Sequence, residues 1–173
     1  DRASRREVLL ARVSPAVPVS SGAPLPPCHS VAVHDPTVQL GIRLAAAAED
    51  QAFYEHRSPK TLLASLAALG TDWEKPFLEI APWLIAVFAQ PFRILPDGTR
   101  SPTYYALESV GIATGLLVTA LHSCGLAALT HTPSPMGFLN RILGRPSHEK
   151  PFVLFVVGHP AAHAFVPDNA RNS

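Results

Sequence analysis

The sequence predicts an α+β layer fold, a small mixed or antiparallel sheet flanked by helices around one long buried helix. Three observations carry that expectation. Helical and strand-like patterns alternate along the chain, in the order helix, strand, helices, strand, long helix, strand, short helix, strand. Two stretches, Trp83 to Ala89 (WLIAVFA) and Pro151 to Val157 (PFVLFVV), are continuous apolar runs of strand length. Between them, Glu108 to Cys124 reads as a helix whose Val110, Ile112, Leu116, Val118 and Leu121 point in every direction. A helix apolar all round is expected to be buried on all sides. Its Gly111 and Gly115 leave one side bare, where another backbone can come close.

Asp1 to Val13 predicts a helix with Val8, Leu9, Leu10 and Val13 on its apolar side. Ser14 to Pro27 is rich in Pro, Ser and Ala without a period, and predicts an irregular connection. Ser30 to Val33 is a short strand ended by the turn His34-Asp35-Pro36, and Thr37 is the expected N-cap of a helix reaching about Tyr54. Ser58-Pro59 restarts a helix from Lys60 to Leu69, which Gly70 stops. Thr71 or Asp72 should cap a piece from Trp73 to Ile80 that Pro82 breaks. Pro96-Asp97-Gly98 marks a surface turn. Gly125 closes the long helix, Leu126 to Leu129 is a strand, and Thr130 to Pro135 is a proline-stiffened loop, a place for a ligand. A short helix, Phe138 to Leu143, is closed by Gly144, and a polar tail follows the last strand from Gly158.

At 173 residues the chain is expected to be a single domain, 1–173, with a core of its own. The 47% of hydrophobic residues is high enough to suggest extra burial between subunits. The apolar run from Val110 to Leu121 falls short of the roughly 20 residues a bilayer needs, so no membrane is expected as a partner. Net charge is +1 with no basic run, which argues against nucleic acid. Cys28 and Cys124 cannot build a disulfide framework, and a reducing, cytoplasmic setting is the expectation. No GxGxxG follows a strand, no phosphate-cradling GxxxxGK[ST] is present, and no metal site is expected. His159 and His163 have ligand spacing, but Pro160 between them breaks the helix such a pair requires.

The segments TDWEKPFLEIAPWLIAVFAQ, YYALESVGIATGLLVTALHSCGLAALTHTPSPMGFLNRILGRPSHEKPF and VVGHP resemble the FMN-dependent nitroreductase superfamily, in particular its iodotyrosine deiodinase-like branch. The resemblance runs from about Val31 to Arg171 and implies a homodimer with FMN at the subunit interface. It places Thr130, His131 and Thr132 beside the flavin, with the hydroxyl of Thr130 or Thr132 near N5 in a catalytic role. A donor there favours single-electron over hydride chemistry, so the protein tunes the cofactor. Asp50, Tyr54 and Lys75 match a clamp that holds the substrate amino acid. Asp50 and Tyr54 are four residues apart and share a helical face. A carboxylate for an ammonium, a lysine for a carboxylate and a phenol between them suit a zwitterion. Glu49, about 100° around the helix, is the poorer alternative to Asp50.

Ser21 and Gly22 match a flavin loop, Ala23 a substrate contact, and Arg171 a phosphate-binding arginine of the tail. Residues 1–30 diverge, and the family's arginine-rich strand (Arg-Arg-Ser-x-Arg), which binds the FMN phosphate, has no counterpart after Asp1. The resemblance implies an FMN-dependent oxidoreductase that reductively dehalogenates a halotyrosine-like phenol, with NAD(P)H or a reductase as electron donor. The alternatives are a general NAD(P)H-dependent nitro or quinone reductase, and an eroded member that keeps only the fold and dimerisation.

Overall fold

A computed structural model describes residues 27–68 and 72–164. The expectations for Asp1 to Val13 and for most of Ser14 to Pro27, and with them Ser21, Gly22, Ala23 and Arg171, lie outside the described residues. Strand β1 (Cys28–Val33) leads into helix α1 (Pro36–Ala52), which ends in a π-helical turn (Phe53–Arg57). Helices α2 (Lys60–Ala68) and α3 (Phe77–Ile80) precede β2 (Trp83–Ala89), the short β3 (Phe92–Ile94) and β4 (Arg100–Pro102), and the long helix α4 (Ala106–Ser123). The chain continues through β5 (Ala127–His131), α5 (Phe138–Ile142) and β6 (Lys150–Gly158).

Four strands form one sheet in the order β1-β2-β6-β5, and every neighbouring pair is antiparallel. Side chains alternate across a strand, so β2 serves two cores at once. Leu84, Ala86 and Phe88 face α1, α3 and α5, where they meet Ile42, Ala46, Leu78 and Leu139. Ile85, Val87 and Ala89 face the other way, with Phe155 and with Val110 of α4. Both Phe88 and Phe155 are fully buried, one on each side, each contributing about 1.5–3 kcal/mol of transfer free energy. A strand covered on both faces has no polar alternation to show, which is why the two apolar runs were legible as strands.

Several elements differ from the sequence-based expectation. The N-cap of α1 is Asp35 rather than Thr37: its carboxylate accepts from the backbone N–H of Thr37 at 2.9 Å and of Val38 at 3.1 Å, while Pro36 takes the first helical position. The piece expected from Trp73 is helical only from Phe77, because the residue before a proline is pushed out of the helical region; Asp72 instead accepts from the Glu74 N–H in a local turn. The turn at residues 96–98 joins two strands, β3 and β4, that were not foreseen, with Gly98 at φ 82°. Strand β5 runs on to His131, so Thr130 and His131 belong to the sheet and not to the loop.

The expectation for the long helix needs the larger correction. Of its residues only Ala106, Val110 and Ala113 are buried. Leu107, Ile112 and Leu116 are exposed, at 61%, 62% and 48%. The helix is not enclosed because it lies on one face of the sheet with nothing described on its far side. At 18 residues it is also longer than the apolar run that defined it, and by length and composition alone it could cross a membrane. Its packing of Val110, Leu117, Val118 and Leu121 against the sheet is that of a helix in a folded layer.

Candidate functional site

Asp50 sits in the last turn of α1, Tyr54 in the π-helical turn after it, Lys75 just before α3, and His131 at the end of β5. The fold brings them together from four separate places. Asp50 and Lys75 are both buried, each 8% exposed. The Lys75 ammonium donates to the Asp72 carbonyl and lies 5.7 Å from the centre of the Tyr54 ring, within cation–π range. The Asp50 carboxylate reaches to 3.8 Å from His131 Nε2, and the Phe77 ring meets the imidazole edge-on at 6.0 Å. Glu49, the alternative to Asp50, is engaged elsewhere: the Arg57 guanidinium donates to its carbonyl at 2.7 Å and stands 3.5 Å from its carboxylate.

A carboxylate near the negative end of a helix, and buried there, costs stability. Burial pushes the Asp50 carboxyl above its usual range, and the charges of Lys75 and Arg57 draw it back down. The His131 imidazole is pushed down to about 4, first by burial and then by the Lys75 charge. The ring is therefore neutral at pH 7, and the 3.8 Å contact is not an ion pair. Asp50 Oδ2 and His131 Nε2 are both buried without a hydrogen-bond partner. In a folded protein such atoms are rare and costly, and they mark a place kept for a ligand or for each other.

The strand period separates the three residues expected beside one another. Thr130 pairs with Phe155 and shares the α4 face, whereas His131 pairs with Leu154 and shares the α1 face. Thr130 and Thr132 are exposed. Thr132, one residue past the strand, lines an open cavity of about 670 Å³ together with Ser134, Met136, Asn140, Arg141 and Lys150. The structure thus brings Lys75 near Tyr54 and Asp50, sets His131 beside Asp50, and turns His131 away from Thr130. The period of two counted from Ala127 would have given that separation, had the strand been carried past Leu129.

A second polar cluster escaped the sequence reading altogether. Glu149, 2% exposed, accepts from Arg145 Nε and Nη2, each at 2.7 Å, and from the Gln90 side chain at 2.9 Å. Asn140 donates to the Glu149 carbonyl at 2.8 Å. This network ties the connection after α5 to the strand β2 side of the sheet. It is structural, and its members lie 59 residues apart in sequence at the widest of these contacts, so no local pattern announces it.

Comparison with known proteins agrees with this architecture. The family model described as the nitroreductase family matches residues 5–159, and so begins within the stretch set apart as divergent. An iodotyrosine deiodinase of Haliscomenobacter hydrossis is 50% identical over 171 residues, covering 99% of this chain and 77% of that protein. One from Nematostella vectensis is 39% identical over 152 residues, covering 87% of this chain and 58% of that protein. The crystal structure of an oxidized iodotyrosine deiodinase bound to FMN and 3-iodo-L-tyrosine superposes with a TM-score of 0.70 at 29% identity, covering 86% of this chain and 77% of that one. The chain belongs to the nitroreductase family of FMN-dependent oxidoreductases, alongside the iodotyrosine deiodinases.

Proposed function

We propose that the protein uses FMN to dehalogenate a halotyrosine-like zwitterionic phenol reductively. The observation that carries this reading is the convergence of buried Asp50 and Lys75 with the half-buried Tyr54. A general nitroreductase has no need of a buried carboxylate and a buried ammonium together, since its substrates lack the two opposite charges. In the proposed complex the Asp50 carboxylate accepts from the substrate ammonium, the Lys75 ammonium donates to the substrate carboxylate, and Tyr54 closes the space between them. Charges held away from water interact more strongly than exposed ones.

The residues fit a flavin. Thr130 and Thr132 are exposed residues, and their hydroxyls would serve as donors to the ring edge. Ser21, Gly22 and the His131 backbone would line the cofactor, Ala23 the substrate, and Arg171 would pair with the phosphate. When bound, FMN supplies electrons in single steps. Overall the carbon–halogen bond breaks, the carbon gains a proton and an electron pair, and halide leaves; NAD(P)H or a partner reductase replaces the electrons.

The same reading takes a second copy of the chain as partner, seated on the exposed face of α4 made by Leu107, Ile112 and Leu116. The unpaired Cys28 and Cys124 suit a reducing, cytoplasmic setting. The test begins with the absorbance of the purified protein, where a flavin band is expected. Halide release from iodotyrosine is then compared with reduction of a nitroaromatic. Turnover of the nitroaromatic without halide release would sink the dehalogenase reading.

A further inference from the structure

We propose that His131 is a positioning residue for Asp50: its imidazole carries the proton on Nε2 and presents it to the carboxylate, locking the clamp to the strand that bears Thr130. The task given to Asp50 rests on the function proposed above; the pairing itself rests on geometry.

Oδ2 and Nε2 face one another at 3.8 Å, and both are buried and unsatisfied. Two bare lone pairs opposed at buried atoms would repel, and each would also have lost its solvation. A proton between them removes both penalties. The gap is shorter than the about 4.5 Å that a bridging water spans, and a movement of about 1 Å closes it to a direct hydrogen bond. The groups that bear on the pair are Glu49 and Arg57 from α1 and its π-helical turn, and Lys75 from the segment before α3. Lys75, the positive charge acting on both, disfavours a charged ring and favours an ionised carboxylate, which puts the proton on nitrogen and the charge on Asp50.

The ring is itself well held. Its backbone is paired with Leu154 in the sheet, and Phe77 fixes its plane from the side. Asp50, by contrast, stands in the last turn of a helix, before the π-helical turn. The sheet therefore orients the helix-borne carboxylate, leaving its other oxygen for the substrate ammonium. One strand then serves both halves of the site, with Thr130 on one face and His131 on the other.

The experiment compares wild type, His131→Leu and His131→Gln by NMR, using ¹⁵N-histidine and ¹³C-carboxyl-aspartate labels, and by binding of iodotyrosine and iodophenol. The wild-type ring should be the Nε2–H tautomer. The Asp50 carboxyl should titrate at higher pH in His131→Leu, and His131→Gln, which keeps an N–H donor, should move it back. His131→Leu should bind iodotyrosine about tenfold more weakly with iodophenol unchanged, and His131→Gln should recover most of the loss. A bare Nε2, an Asp50 titration indifferent to both substitutions, or equal losses for the two phenols would overturn the proposal. If wild type binds neither phenol while Asp50 still responds to His131, the pairing stands and the function proposed above is what fails.

Discussion

Replacing Lys75 with Gln keeps a hydrogen-bond donor near the Asp72 carbonyl and removes the charge. Lys75 is 8% exposed, so the proposed contact with a substrate carboxylate would be made away from water, where a charge-assisted hydrogen bond is worth about 1.5–3 kcal/mol. Affinity for iodotyrosine should fall by roughly ten- to 150-fold. Iodophenol, which lacks the amino-acid group, should be nearly unaffected. A second consequence comes from the neighbours. The Lys75 charge holds down both the Asp50 carboxyl and the His131 imidazole, so both should titrate higher in the variant, and the ammonium side of the clamp should weaken along with the carboxylate side. Isothermal titration of the flavin-loaded protein measures the first effect, and NMR titration the second. Equal weakening of iodotyrosine and iodophenol would refute the clamp, since a charge that discriminates no zwitterion is not binding one.

Stability should fall as pH drops from about 6.5 towards 4, because the unfolded chain takes up a proton that the folded His131 refuses. The full shift corresponds to on the order of 3 kcal/mol, and residual solvent access reduces it to about 1–2 kcal/mol; urea unfolding at pH 4.5 and 7 should register it, and His131→Gln should flatten it. Asp50 acts in the opposite sense: its carboxyl is raised, so at neutral pH its charge burdens the fold, and Asp50→Asn should raise the melting temperature while abolishing zwitterion binding. Glu149→Ala leaves Arg145 and Gln90 without their partner and should cost about 3 kcal/mol, read as a lowered denaturation midpoint. Among the described residues of one protomer, nothing outside the helix's own backbone lies within 4 Å of a Cβ added at Gly111 or Gly115. Gly115→Leu should therefore leave the protomer folded while breaking a dimer, taking the sedimentation mass from twice 18.5 kDa to 18.5 kDa; a wild type that is already monomeric removes the second copy from the site.

What could be read in advance was whatever is local. The strand at Trp83–Ala89 came out with its expected bounds because an unbroken apolar run between Pro82 and Gln90 leaves little choice. The helix stop at Gly125, φ 74°, and the turn at Gly144, φ 61°, followed from glycine alone. Asp50 and Tyr54, expected on one continuous helix, are instead divided between the last turn of α1 and the π-helical turn that follows it. What was missed depends on distant partners. The burial of α4 cannot be judged from its own composition, since the same apolar stripe serves a helix packed on two sides and one packed on one. The partnership of His131 with Asp50 joins an edge strand to a helix distant in sequence, and only the strand's length decides which face the ring takes. The Glu149 network joins Arg145, four residues before it, to Asn140 of α5 and to Gln90 just past β2, and the distant partners carry no spacing that announces them.

The register of β5 against β6 makes the chain unequally tolerant of changes in length. Between the last turn of α4 and Ala127 only Cys124, Gly125 and Leu126 intervene, and Gly125 holds a left-handed backbone there. One residue inserted or deleted in that connection would slip the strand by one position and exchange its two sides. His131 would then look out over α4, and Thr130 would be carried in towards Asp50. At residues 96–98, where the hairpin of β3 and β4 turns at the surface, an added residue would lengthen a loop and leave the sheet untouched. The same small edit is therefore harmless in one turn and, in the other, inverts the two halves of the site without removing a single residue from it.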